Sequence, residues 1–174
     1  MAVTSETIKE LREMTSCGVM ECKKALEESG GDIDKAKQIL QKRGMEIAAK
    51  KGGREAKEGR VEAYIHAGSK IGVMLELNCE TDFVAKSEEF IRLSKDVAMH
   101  IAAMSPKYIS QNDVPADEIP AGTSKEDYCK SVCLMEQPFV KDPKLTIKDC
   151  ITNLIGKIGE NVQVSRFVRY KVSE

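Results

Sequence analysis

The sequence holds no tryptophan, and only four phenylalanines and four tyrosines among 174 residues. A core with so few rings can hardly spare one, so the position of each phenylalanine is informative. There is no excess of either charge. Lys plus Arg is 27 and Asp plus Glu is 28, a formal net charge of −1. That balance argues against the broad basic surface of a nucleic-acid coat, and no direct nucleic-acid partner is expected. No apolar run approaches the ~20 residues that span a bilayer, so no membrane partner is expected either. The stretch MAVTSETIKELRE contains acidic residues and lacks an apolar stretch, which predicts neither an export signal nor a transit peptide. A cytoplasmic location follows as the expectation.

Chemistry is also sparse. No GxxxxGK[ST] occurs, which excludes that phosphate-cradling loop. The two histidines, His66 and His100, stand apart from any serine, cysteine or aspartate set of the kind nucleophilic catalysis uses. Both read as structural. The six cysteines, Cys17, Cys22, Cys79, Cys129, Cys133 and Cys150, form no CxxC and sit beside no histidine. Zinc needs four closely placed ligands, so reduced, buried thiols are expected, with no metal and no cofactor. The chain is not expected to be an enzyme.

What is present begins with helical periodicity. Ile8, Leu11 and Thr15 share one face; Cys22, Ala25, Leu26 and Ser29 another; Ile33, Ala36, Ile39 and Leu40 a third. Gly18, Gly30-Gly31 and Gly44 punctuate the three helices, and Asp32 is placed to cap the third. The domain expected here is 1–44. Residues 45–59 lose the period and carry basic charge without aromatics between, so they read as a solvated linker. The remaining domain is 60–174. Val61–His66 and Ile71–Asn78 read as a hairpin joined by Ala67-Gly68-Ser69-Lys70. Ser87–Met104 turns helical, with Phe90, Leu93, Val97, Ile101 and Met104 on one side. Residues 105–127 read as loop, Tyr128–Met135 is an ambiguous apolar run, Leu145–Ile158 suits a helix, and Val162–Val172 alternates as a last strand. The fold class is α+β: a helical bundle, then an antiparallel sheet with helices on one face. Gly156-Lys157-Ile158-Gly159 has the GXXG form of an RNA-binding loop, but a strand-like segment follows it, so it reads as a helix end.

The stretch Asn78-Cys79-Glu80-Thr81-Asp82-Phe83-Val84-Ala85-Lys86 lies between a predicted strand and a predicted helix. Phe83 there either folds inward beneath the next helix or stands outside as an interface anchor; its chemistry leaves both open.

Two segments carry a family likeness. LREMTSCGVMECKKAL, from Leu11 to Leu26, and ELNCETDFVAK, from Glu76 to Lys86, resemble the signatures of the elongation factor Ts family. EQPFVKD (Glu136 to Asp142) and RFVRY (Arg166 to Tyr170) support the likeness. The resemblance implies a UBA-like three-helix domain, a linker and one dimerisation-type core. It implies guanine-nucleotide exchange on elongation factor Tu, with Thr81, Asp82, Phe83 and Val84 entering the GTPase domain and dislodging its Mg²⁺. It also implies a second contact through Arg12, Val19, Met20 and Lys23, with Val19 standing where methionine is more usual. The short form implies a homodimer. Against short members, the stretch between Ile119 and Leu134 is about twenty residues brief, and a helical segment before EQPFVKD is missing.

Overall fold

A computed structural model describes residues 3–15 and 17–173; Ser16, inside the first signature, lies outside them. The chain forms two compact units. One comprises Met1–Arg54 with Thr152–Asn161, the other Glu55–Ile151 with Val162–Glu174.

The first unit opens with three helices, α1 (Ser5–Thr15), α2 (Val19–Glu28) and α3 (Ile33–Lys51). Their periodic faces meet as expected: Leu11, Cys22, Ala25, Leu26, Ala36 and Leu40 are buried together, with Ile8, Ile33 and Ile39 at the margin. Asp32 caps α3 by accepting the Lys35 N–H at 3.0 Å. Gly44 does not close α3, as the sequence suggested. It is buried within the helix, which continues to Lys51. The reason is packing. Gly156, in the helix α7 (Ile147–Ile158), approaches so closely that a Cβ on it would lie 2.6 Å from the Gly44 Cα. Gly156 lies inside α7 and Gly159 (φ 72°) directly follows it, with the strand Val162–Lys171 next, so the GXXG run is a helix end.

In the second unit, β1 (Glu58–Ile65) and β2 (Ile71–Cys79) form the expected hairpin, and β5 (Val162–Lys171) lies on the other side of β2. Both pairings are antiparallel, so β2 is central. Val73, Leu75, Leu77 and Cys79 of β2 are buried. The helix α5 (Glu88–Met104) packs on β1 and β2, contributing buried Phe90, Val97, Ala98 and Ile101.

β5 departs from its alternating pattern. Glu76 pairs with Arg166 and Leu77 with Val164, which leaves Ser165 as a bulge. The bulge switches faces: Val162 and Val164 are buried, whereas Val168 and Tyr170 are exposed. One uninterrupted face, as the spacing predicted, would have placed them together.

The loop after α5 ends sooner than predicted. A helix α6 runs over Lys125–Val132, capped by Ser124, whose Oγ accepts the Asp127 N–H at 3.1 Å. Val114, Cys129, Val132 and Cys133 bury against one another beside Tyr108, Ile119 and Tyr128. A short hairpin of β3 (Pro138–Phe139) and β4 (Asp142–Thr146) follows. His100 is fully buried. Its Nδ1 accepts the Val140 N–H at 3.3 Å, so the neutral ring donates from Nε2 to Gln137 Oε1 at 3.0 Å. Burial pushes its pKa below the ordinary value. It is a structural histidine. All six cysteines are free thiols.

The glycine contact predicts opposite outcomes at its two ends. Gly156→Ala forces overlap with backbone and costs about 1–3 kcal/mol. At Gly44 an added Cβ meets Gly156 Cα at 3.8 Å, an ordinary contact. There the gain in helix propensity, up to about 1 kcal/mol, leaves Gly44→Ala neutral or stabilising. Urea denaturation of both variants checks this; equal losses would contradict it.

Candidate functional site

The chain leaves the sheet at Cys79, the last β2 residue, which pairs with Glu58 on one side and Val162 on the other. Beyond it Thr81 is extended (φ −129°, ψ 153°) and caps a single helical turn, α4 (Asp82–Ala85). Its carbonyl accepts two donors, the Ala85 N–H at 3.3 Å and the Cys79 thiol at 3.1 Å. The Ser87 hydroxyl closes the turn. It donates to the Val84 carbonyl at 2.8 Å, and its oxygen accepts the Phe90 N–H at 3.4 Å, starting α5.

This corner settles the orientation of its ring. Ala85 and Phe90 point inward, at 8% and 0% exposure, whereas Phe83 is 82% exposed. Phe139 and Phe167 are half-buried, so Phe83 is the one phenylalanine left to solvent. Beside it the Lys86 ammonium donates to Asp82 Oδ2 at 2.6 Å. That bond holds the Asp82 carboxyl below the usual carboxylate range and raises the Lys86 pKa in return. Lys86 was not singled out by the sequence reading; its i, i+4 spacing from Asp82 was the available signal. Thr81, Asp82, Phe83 and Val84 therefore sit together on one short turn. They present a ring and a paired carboxylate, and no nucleophile beside a base.

The second set lies in the other unit. Arg12 is exposed on α1. Val19 and Met20, 50% and 61% exposed, open α2. Lys23 follows them at helical spacing, its Nζ 3.9 Å from Glu27. Met14, also 50% exposed, is a further apolar group near the α1 end that the sequence reading passed over. Among the described residues no cluster of His, Cys, Asp and Glu could hold a metal ion. No described helix is long and apolar enough to cross a membrane.

Comparison with known proteins decides the family. The family model described as elongation factor Ts matches residues 2–125 and 119–174. The chain belongs to the elongation factor Ts family. The proteins called elongation factor Ts from Thermodesulfovibrio yellowstonii and Carboxydothermus hydrogenoformans are 50% and 48% identical to it. Those matches cover 100% and 99% of this chain, and 98% and 90% of the respective relative. The protein of that name from Fervidobacterium nodosum is 47% identical, with both chains covered completely. Membership gives the chain a role in translation elongation. The 195 matched positions exceed the 174 residues here, leaving at least 21 without a counterpart. The family match itself comes in two parts that overlap at 119–125. There the chain makes a turn in which the Thr123 N–H reaches the Pro120 carbonyl at 3.1 Å, directly before α6.

Exposure separates two phenylalanines seven residues apart. Phe83→Ala shifts the free energy of unfolding by less than about 0.5 kcal/mol, as for an exposed residue without core contacts. Phe90→Ala costs about 3–5 kcal/mol. Urea titrations of the two variants measure the contrast; a Phe83→Ala loss as large as that of Phe90→Ala would refute the exposed placement.

Proposed function

We propose that this chain is the guanine-nucleotide exchange factor of elongation factor Tu and acts through the Thr81–Val84 turn. One observation carries the reading: a chain poor in aromatics leaves Phe83 in solvent on a turn fixed at both ends. The Phe83 ring enters between helices of the GTPase domain, with Asp82 beside it as the polar partner. The displacement removes support from the partner's Mg²⁺. That ion demands near-ideal octahedral geometry and bridges phosphates, so a small shift weakens the hold on GDP. No covalent bond is made or broken, and the chain is not an enzyme in this scheme. It works by binding the nucleotide-free partner more tightly than the GDP-bound one, and linkage then makes incoming GTP expel it. Arg12, Val19, Met20 and Lys23 supply a second contact to the same domain. The site of action is the cytoplasm, where translation takes place.

Stopped-flow release of labelled GDP from elongation factor Tu tests this. The wild-type chain accelerates release, and Phe83→Ala loses about thirtyfold or more of that effect, the scale of a central aromatic hot spot. Asp82→Ala slows release to a lesser degree. A wild-type chain without effect would refute the proposal.

We also propose that two copies pair through the open face of the sheet. Cross-strand rows Ala63–Met74–Val168 and Ile65–Gly72–Tyr170 lie on the side away from α5. Ile65, Met74 and Tyr170 are 65%, 53% and 70% exposed. The next row sets Arg166 Nε 2.6 Å from Glu76 Oε2, which holds the Glu76 carboxyl below its usual range. An apolar sheet face of this kind is stable when another sheet covers it, and a second copy brings the same surface. Sedimentation equilibrium is expected to show a dimer for the wild type and a folded monomer for Met74→Glu. A wild-type monomer, or an undisturbed Met74→Glu dimer, would count against this arrangement.

A further inference from the structure

We propose that Cys79 is a positioning residue for the Phe83 corner: its thiol bond to the Thr81 carbonyl fixes the angle at which α4 leaves the sheet. The inference rests on the exchange reading for its functional half and on geometry alone for its structural half.

The geometry is specific. Cys79 is fully buried and is the last residue of β2 bonded between two strands. Its Sγ lies 3.1 Å from the Thr81 carbonyl oxygen, short for a sulfur donor. That oxygen is also the acceptor for the Ala85 N–H, the bond that closes the turn holding Phe83. One carbonyl, with two lone pairs, thus joins the rigid strand end to the turn. At its far end α4 is held by the Ser87 hydroxyl on the Val84 carbonyl at 2.8 Å and by buried Ala85. Nearer the strand, the Thr81 Oγ1 cap accepts the Val84 N–H at only 3.5 Å, and the Asp82–Lys86 pair is solvated. A four-residue helix has little stability of its own, so its direction depends on such anchors. Burial also sets the thiol's role: it donates a hydrogen bond and has no access to solvent reagents.

The test compares wild type, Cys79→Val, Cys79→Ala and Cys79→Ser. Valine fills similar space without a donor, alanine is a second donor-free replacement, and serine restores a donor. The first readout needs no partner: hydrogen exchange at the Ala85 amide, followed by NMR. Losing one neutral hydrogen bond should speed this exchange about three- to tenfold in the valine and alanine variants, with the Leu75 and Leu77 amides unchanged. Serine should return it to within about twofold of wild type. The second readout is GDP release at saturating factor. A merely destabilised protein has fewer competent molecules, which raises the half-saturating concentration and leaves the maximal rate alone. A displaced corner lowers the maximal rate, again about three- to tenfold, with rescue by serine. Wild-type exchange at Ala85 in both donor-free variants, an unchanged maximal rate, or a serine variant as impaired as valine would overturn the proposal. If the corner loosens in the donor-free variants while the wild-type chain fails to release GDP, the anchoring role of Cys79 stands and the exchange reading falls.

Discussion

The central strand is the constraint from which the site follows. β2 is bonded on both edges, and its alternate residues Val73, Leu75, Leu77 and Cys79 are buried. Period two then dictates the rest. Met74 and Glu76 must face away from α5, and the chain must change direction once its neighbours run out. They run out at Cys79 on both sides together, since Glu58 and Val162 are the terminal residues of their strands. The turn that follows is short because Ser87 and buried Phe90 already fix the start of α5. A one-turn helix held between two such anchors has little freedom. The side chain at its second position is carried outward with it.

Energy gives that placement its meaning. Burying a phenylalanine side chain is worth about 1.5–3 kcal/mol. This sequence has four, and one of them forgoes the gain within the chain. In the proposed exchange scheme, a ring on an anchored turn keeps that burial for the partner and enters it with little ordering cost. The ion pair beside it acts alike, holding Asp82 ionised and oriented by Lys86. The sheet's far side shows the same economy, with Ile65, Met74 and Tyr170 exposed on one surface. Two distinct surfaces are thereby left unfinished, one a projecting corner and one a flat apolar face.

Much of this was legible in the residues. The hairpin, the Ser87 cap and the α5 stripe follow from alternation, turn chemistry and 3.6-residue spacing. Elsewhere tertiary packing overrode local signals. Gly44 has the look of a helix stop, but it serves the close approach of Gly156, a long-range contact that no local pattern records. The Val162–Val172 alternation is real, yet the Ser165 bulge divides it between two faces. α6 hid because Cys129, Val132 and Cys133 are few and small, and their burial is set by Tyr108 and Val114 from the preceding loop. Phe83 is the instructive case. Its neighbours permit either an inward or an outward ring, and the structure places it outside on α4, with Ala85 of the same turn buried instead. The family signature marked the residues; the tertiary placement of the turn puts the ring outside.

The central claim is that Phe83 itself enters the GTPase. A photoreactive phenylalanine analogue at position 83, irradiated with elongation factor Tu, tests it directly. The account predicts an adduct within the GTPase domain when nucleotide is absent and its loss when GTP saturates the partner, because in the proposed scheme factor and nucleotide exclude each other. No adduct, or one that forms equally well with saturating GTP, would contradict it.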